Sequence, residues 1–157
     1  MRNQHIAAIL LIVLVLLVAP TPAAADRPGT GLERLVNDWR VERGVQPLRG
    51  DDRLYAAAAD VAGDGTYCPQ DRMWLEFTIA GALYRSGYRE RRGYGLLLCG
   101  EYRMPQDVME WIRQHSGPSR RELEEFGIVH LADLNFVRSN GNHVTDIWVL
   151  LAADPMD

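Results

Sequence analysis

The chain has 157 residues, about one domain's length, and is 47% hydrophobic and 24% charged, which argues against disorder, collagen and a many-span membrane protein. Its 17 cationic side chains, all arginine, stand against 21 acidic ones. The formal net charge of −4 argues against a dedicated nucleic-acid binder, which needs a basic footprint.

Much of the apolar content sits in one block, Ile6 to Ala19, preceded by Arg2 and followed by Pro20 to Ala25. A short apolar core followed by small residues at −3 and −1 reads as a secretory signal peptide, with cleavage expected between Ala25 and Asp26. As a helix the block would span only about 21 Å, short of the roughly 30 Å hydrocarbon core. The rival reading is an uncleaved membrane anchor. The expected layout is a signal peptide over residues 1–25, a leader over 26–30 and a single domain over 31–157. The expected destination is the extracellular space or the cell envelope.

In chain order, Thr30 to Glu33 reads as a capping box. Leu32, Leu35, Val36 and Trp39 then share one helical face, and Gly44 stops the helix. Asp51 is placed to cap a second helix with Leu54, Tyr55, Ala58 and Ala62 as its stripe, ended by Gly63 and Gly65. A third helix follows the Cys68–Asp71 loop, with Met73, Trp74, Phe77, Ala80 and Tyr84 expected on its buried face and Gly87 closing it. Arg89 to Arg92 reads as a solvated turn, and Tyr94 to Cys99 as a buried strand or extended loop. Pro105 opens a fourth helix that turns Val108, Met109 and Ile112 inward. Gly117-Pro118 breaks it, and a brief helical turn is expected over residues 120–125. Ile128–Leu131 and Leu134–Val137 read as one strand region. Asn140-Gly141 signals a hairpin, and Val144–Leu151 is the returning strand, apolar enough to be covered on both faces. Helices early and a hairpin late make the expected class α+β.

Cys68 and Cys99 are the only cysteines. Export favours a disulfide between them. The rival is zinc, which needs histidine ligands at tight spacing that His115, His130 and His143 do not offer.

The order of segments resembles the CAP superfamily of cysteine-rich secretory, antigen 5 and pathogenesis-related proteins. The likeness rests on Asn37 and Arg40, on Gly44, Pro47 and Leu48, and on Leu54, Ala57, Ala58 and Ala62. It continues in Ser86-Gly87-Tyr88, in Val108 to Trp111, in the Ser116 to Leu123 box, and in Phe126-Gly127-Ile128 with Ile147-Trp148-Val149. The resemblance implies an α-β-α sandwich, helices packed on a small, mainly antiparallel sheet with a C-terminal hairpin. It also implies an open cleft, which in the family holds a His/Glu tetrad that can bind a divalent metal. Carried over position by position, one tetrad histidine falls on Ser119, one glutamate on Leu96 and the other histidine near Cys68; only Glu76 is a candidate for the remaining acid. The candidate cleft-lining residues are therefore Leu96, Ser119, Glu76, His115 and Arg120, with the Cys68–Cys99 bridge as a staple where the metal would sit.

No catalytic set, metal or cofactor is expected. Ser119 has no base and orienting partner that the sequence can assign. His130 in a strand and His143 at a turn read as structural, and Arg89, Arg91, Arg92, Arg120 and Arg121 as surface charge, with an anionic lipid or envelope polymer as the rival. Trp74, Trp111 and Trp148 read as core. The resulting expectation is an exported, non-catalytic, monomeric domain that binds an apolar or cell-envelope ligand or a protein partner. The alternatives are a metal-dependent or serine-type hydrolase and a structural or host-facing protein with no small ligand.

Overall fold

A computed structural model describes residues 30–64, 68, 72–115, 117–138 and 140–156, and only the backbone of Asp64. The expected signal peptide and the leader up to Gly29 lie outside the described residues, as do Gly65 and Ser116.

Helix α1 (Leu32–Glu42) is N-capped by Gly31, at φ 82°, so Thr30 precedes the cap rather than forming it, while its pairing with Glu33 is retained. The Thr30 hydroxyl oxygen accepts the Leu32 N–H at 3.2 Å, while the Glu33 carboxylate accepts the Thr30 N–H at 3.2 Å and its hydroxyl at 2.8 Å. These bonds satisfy donors that a helix start otherwise leaves open. Gly44 ends the helix at φ 68°, a left-handed position without penalty for glycine. A two-residue strand, β1 (Arg49–Gly50), follows. Helix α2 (Asp52–Asp64) is capped by Asp51, whose Oδ1 accepts the N–H groups of Arg53 at 2.8 Å and Leu54 at 3.3 Å. Burial pushes the Asp51 carboxyl up, but its bonds from Arg53 and these backbone N–H groups outweigh that and leave it below the usual carboxylate range.

Helix α3 (Arg72–Ser86) corrects the expected buried face. Met73 is 64% exposed, Phe77 73% and Tyr84 86%; Ala80 is also exposed and Trp74 only half-buried. The inner face is instead Leu75, Ile79, Ala82 and Leu83, which share a core with Ala57, Ala58, Val61 and Ala62 of α2. The helix is apolar on two sides, so periodicity could not choose between them. The small side chains of α2 accept the Ala82 side at close range.

Residues 89–92 are not a free turn. Strand β2 (Glu90–Gly100) includes Glu90, Arg91 and Arg92, with a bulge between Glu90 and Arg92. Helix α4 (Pro105–His115) buries Val108, Met109 and Ile112. The expected helical turn over 120–125 is instead a 3-10 turn at Gly117–Ser119. The expected single strand region over 128–137 is split between β3 (Glu125–Leu131) and β4 (Phe136–Val137), which lie in different sheets. β4 pairs with β5 (His143–Val144) across the Asn140-Gly141 turn, with Gly141 at φ 84°. Strand β6 (Asp146–Pro155) completes the chain.

The main sheet runs β1-β3-β6-β2, parallel only between β1 and β3. Central β6 is covered on both faces. Trp148, Leu150 and Ala152 join the core under α1 and α4, whereas Ile147, Val149, Leu151 and Ala153 join the core under α2 and α3. The fold is an α-β-α sandwich, and β2 is an edge strand.

Gly127 marks the closest approach between the layers. A Cβ there would lie 2.3 Å from the Leu54 carbonyl carbon and 2.4 Å from the Tyr55 nitrogen. These atoms are backbone and cannot swing aside. Gly127→Ala should lower stability by about 1–3 kcal/mol through overpacking. A urea midpoint unchanged from wild type would contradict the close contact.

Candidate ligand-binding cleft

A cleft opens where α3 leans over the free edge of β2. It comprises two cavities that share Arg72, Leu75, Tyr94 and Gly95. The first, about 550 Å³, lies under α3 among Leu75, Ile79, Leu83, Glu90, Arg120 and Leu151. The second, about 860 Å³, follows β2 from Tyr94 through Cys99 and ends against Trp111 and His115 of α4.

Two glycines shape this cleft. A Cβ at Gly95 would stand 2.3 Å from Ile79 Cδ1, so glycine lets α3 approach β2 there. A Cβ at Gly117 would stand 1.9 Å from Tyr94 Cε2, so the 3-10 turn forms a flat backing for the Tyr94 ring. Burial raises the Tyr94 hydroxyl pKa to about 12, against the opposing pull of Arg120. Burial also pushes the Glu90 carboxyl up, above the usual carboxylate range.

The second cavity is the more distinctive in its chemistry. Leu75, Leu96, Leu97 and Leu98 with Tyr102 and Trp111 make it apolar; Arg72, Arg138 and His115 supply its ionisable groups, and its lining includes no Asp or Glu among the described residues. Arg138 Nη2 donates to the Cys68 carbonyl at 3.0 Å, which fixes that guanidinium beside the disulfide. The His115 ring stacks on Trp111 at 3.6 Å between centroids, and its Nδ1 lies 2.8 Å from the Trp111 carbonyl oxygen. Cys68 and Cys99 are bonded, with Cα atoms 6.0 Å apart, and both line this cavity.

The sequence candidates fall as follows. Leu96 and His115 line the second cavity, and Glu76 and Arg120 line the first. Ser119 lies half-buried in the 3-10 turn and lines neither. Glu76 Oε1 accepts from Arg72 Nε at 2.9 Å on the rim, and Leu96 is 5% exposed. No group of three or more His, Cys, Asp or Glu among the described residues is arranged to hold a metal ion. Trp111, expected in the core, is half-buried and lines the cleft, while Trp148 is core.

His130 sits elsewhere, stacked on Trp148 at 3.8 Å, with Nε2 2.7 Å from Asp146 Oδ1. His143 is exposed on β5, and Arg89, Arg91, Arg92 and Arg121 are also exposed. Sequence reasoning missed Arg72, Leu75, Tyr94 and Arg138 as cleft residues. They come from three separate segments, and no local pattern joins them.

No protein-family model matches this sequence, and no curated protein matches it by sequence. Solved structures do match the fold. A cysteine-rich secretory protein from Staphylococcus aureus superposes with TM-score 0.56 at 14% identity, over 84% of this chain and 41% of that one. The CAP domain of enterococcal PrgA gives TM-score 0.57 at 14% identity, over 82% and 62%. An outer surface protein from Borrelia burgdorferi gives TM-score 0.55 at 15% identity, over 80% and 90%. This chain thus covers less than two thirds of the first and of the PrgA domain's chain. At such identities the likeness is one of fold, and that fold is the CAP domain. No helix among the described residues is long and apolar enough to cross a membrane.

Proposed function

We propose that this CAP-fold domain is an exported, non-catalytic binding module whose cleft takes an anionic amphiphile, an apolar chain ending in a carboxylate or phosphate. The observation that carries the reading is the second cavity: leucines and aromatic rings beside Arg138 and Arg72, the latter paired with Glu76 on the rim, and no Asp or Glu in its lining among the described residues, in a chain of net charge −4. A cavity lined this way gains apolar burial from a hydrocarbon chain and charge-assisted bonds from its acidic end. The non-catalytic part rests on Leu96 and Ser119, which stand where the resemblance would place tetrad residues. Export rests on the N-terminal block, with removal of residues 1–25, and accords with the secretory and outer-surface descriptions of the fold neighbours.

Trp111 supplies the test, because it lines the cavity while Trp39 and Trp148 are buried in the α1–α4 core and Trp74 lines neither cavity. A dibrominated fatty acid should quench its fluorescence saturably, and Trp111→Phe should remove most of that quenching. Arg72→Glu should weaken binding about tenfold by reversing a rim charge. Non-saturable quenching, or equal affinity in Arg72→Glu and Leu97→Asp, would refute the assignment.

A further inference from the structure

On the outer face of α3, Met73, Phe77 and Tyr84 line neither cavity of the cleft, and Ala80 borders the first. Met73, Phe77, Ala80 and Tyr84 are spaced four, three and four residues apart, the spacing of a helix-pairing seam. Three of the four are large apolar side chains, 64%, 73% and 86% exposed. Together they offer on the order of 400–500 Å², about the size of the largest apolar patch on a typical monomer. By helical geometry, Trp74, Gly81 and Arg85 border one side of this seam, and Arg72 and Glu76 the other.

We infer that α3 pairs with α3 of a second copy of this chain, antiparallel, about a two-fold axis that crosses the seam midway between Phe77 and Ala80. The seam is self-complementary in that arrangement. Phe77 of each copy meets Ala80 of the other, so a large side chain fills the space above a small one at two symmetric places. Met73 meets Tyr84. On one border the Trp74 indole lies over Gly81 of the second copy, next to Arg85, where a guanidinium favours an aromatic face. Such a contact is isologous, and it closes at two copies. With its borders it buries on the order of 1,000 Å² in total, the low end for a specific interface, so the dimer is expected to form in the micromolar range.

The charges bordering the seam favour a second copy over a lipid surface. Arg72 is paired with Glu76 at 2.9 Å, and Arg85 with Asp60 of α2 at 2.7 Å. A helix that lies on a membrane carries an excess of basic residues on its polar face, and these pairs are neutral. The seam shares Ala80, and at its border Arg72 and Glu76, with the cleft lining, while Met73, Phe77 and Tyr84 lie outside it; the pairing stands whether or not the cleft binds an amphiphile.

Sedimentation velocity from 1 to 200 µM tests the inference on the purified protein with its disulfide intact. A reversible dimer should appear across that range. Phe77→Ala and Ala80→Phe should each raise the dissociation constant about tenfold or more. The double variant Phe77→Ala with Ala80→Phe should restore dimerisation, because the exchange places the same large-small pair across the axis. Both positions are exposed, and near-ultraviolet circular dichroism checks that each variant remains folded. A monomer at 200 µM, a dimer indifferent to either single change, or a double variant no better than the singles would overturn the pairing. Binding of the monomer to anionic lipid vesicles that Phe77→Glu abolishes would assign the face to a membrane instead, and would overturn it too.

Discussion

Replacing Arg40 by alanine should lower folding stability by about 3–5 kcal/mol. The side chain is 0% exposed, and its guanidinium is bonded to the backbone rather than to a carboxylate. Nε donates to the Gln46 carbonyl at 2.7 Å, Nη1 to the Pro118 carbonyl and to that of Arg120 at 3.0 Å, and Nη2 to that of Leu123 at 2.9 Å. Burial lowers its pKa from the usual arginine value, with Glu122 acting in the opposite direction. Removing the fork leaves buried carbonyl oxygens without donors, each costing about 1–3 kcal/mol in a non-additive way. Arg40→Lys should recover only part of the loss, because an ammonium cannot reach carbonyls spread around a planar fork. Urea titration of the three proteins gives the values. A loss below about 1 kcal/mol for the alanine variant would mean that the fork contributes little to stability.

The effect should extend to the cleft. Arg40 anchors the 117–123 segment to α1, and that segment contributes Gly117 behind Tyr94 and Arg120 to the first cavity. Asn37, one turn earlier, clamps the next segment: its Nδ2 donates to the Leu48 carbonyl at 3.0 Å, and its Oδ1 accepts the Leu48 N–H at 2.8 Å. The Asn-x-x-Arg pair on which the resemblance partly rests is therefore a structural clasp. It ties α1 to the 46–48 segment and to the turn backing the cleft.

Breaking the Cys68–Cys99 bridge should cost about 3–4 kcal/mol, the chain-entropy value for a loop of about this length. The bridge spans 31 residues and joins Cys68, in the segment between α2 and α3, to edge strand β2. Cys68 is 2% exposed and holds φ 46°, a conformation uncommon for a non-glycine residue. With the bond gone, loop entropy favours release of this segment, and Arg138, which donates to the Cys68 carbonyl, loses its anchor. The unfolding midpoint should fall in reductant and in Cys99→Ser. Affinity for the amphiphile probe should fall with it, since both half-cystines and Arg138 line the second cavity. Equal midpoints with and without reductant, with free thiols confirmed by mass, would refute the stabilising role.

Features that depend on near neighbours were legible from residue order. The Thr30–Glu33 reciprocal bonds, the Asp51 cap, the left-handed stops at Gly44 and Gly87 and the hairpin at Asn140-Gly141 each close within a few residues. The alternation of Ile147, Val149 and Leu151 with Trp148 and Leu150 likewise announced a strand covered on both faces, as β6 is. The disulfide followed from the cysteine count and the expectation of export, and the CAP fold from motifs scattered along the chain.

What the tertiary structure decided depends on contacts between distant segments. The α3 sequence is apolar on two sides, and only the small side chains of α2 determined that Ala82 and Leu83 would turn inward and Phe77 outward. Arg49 and Gly50 form a two-residue strand because β3 offers them a parallel partner. Arg91 and Arg92 look like a solvated turn and extend β2 because β6 runs long enough to pair with it. The cleft draws Arg72, Tyr94, Trp111 and Arg138 from α3, β2, α4 and the β4–β5 hairpin. Residue order governs capping, turn geometry and periodicity because these involve atoms a few bonds apart. Burial and cavity lining are shared among side chains that only the folded packing brings together.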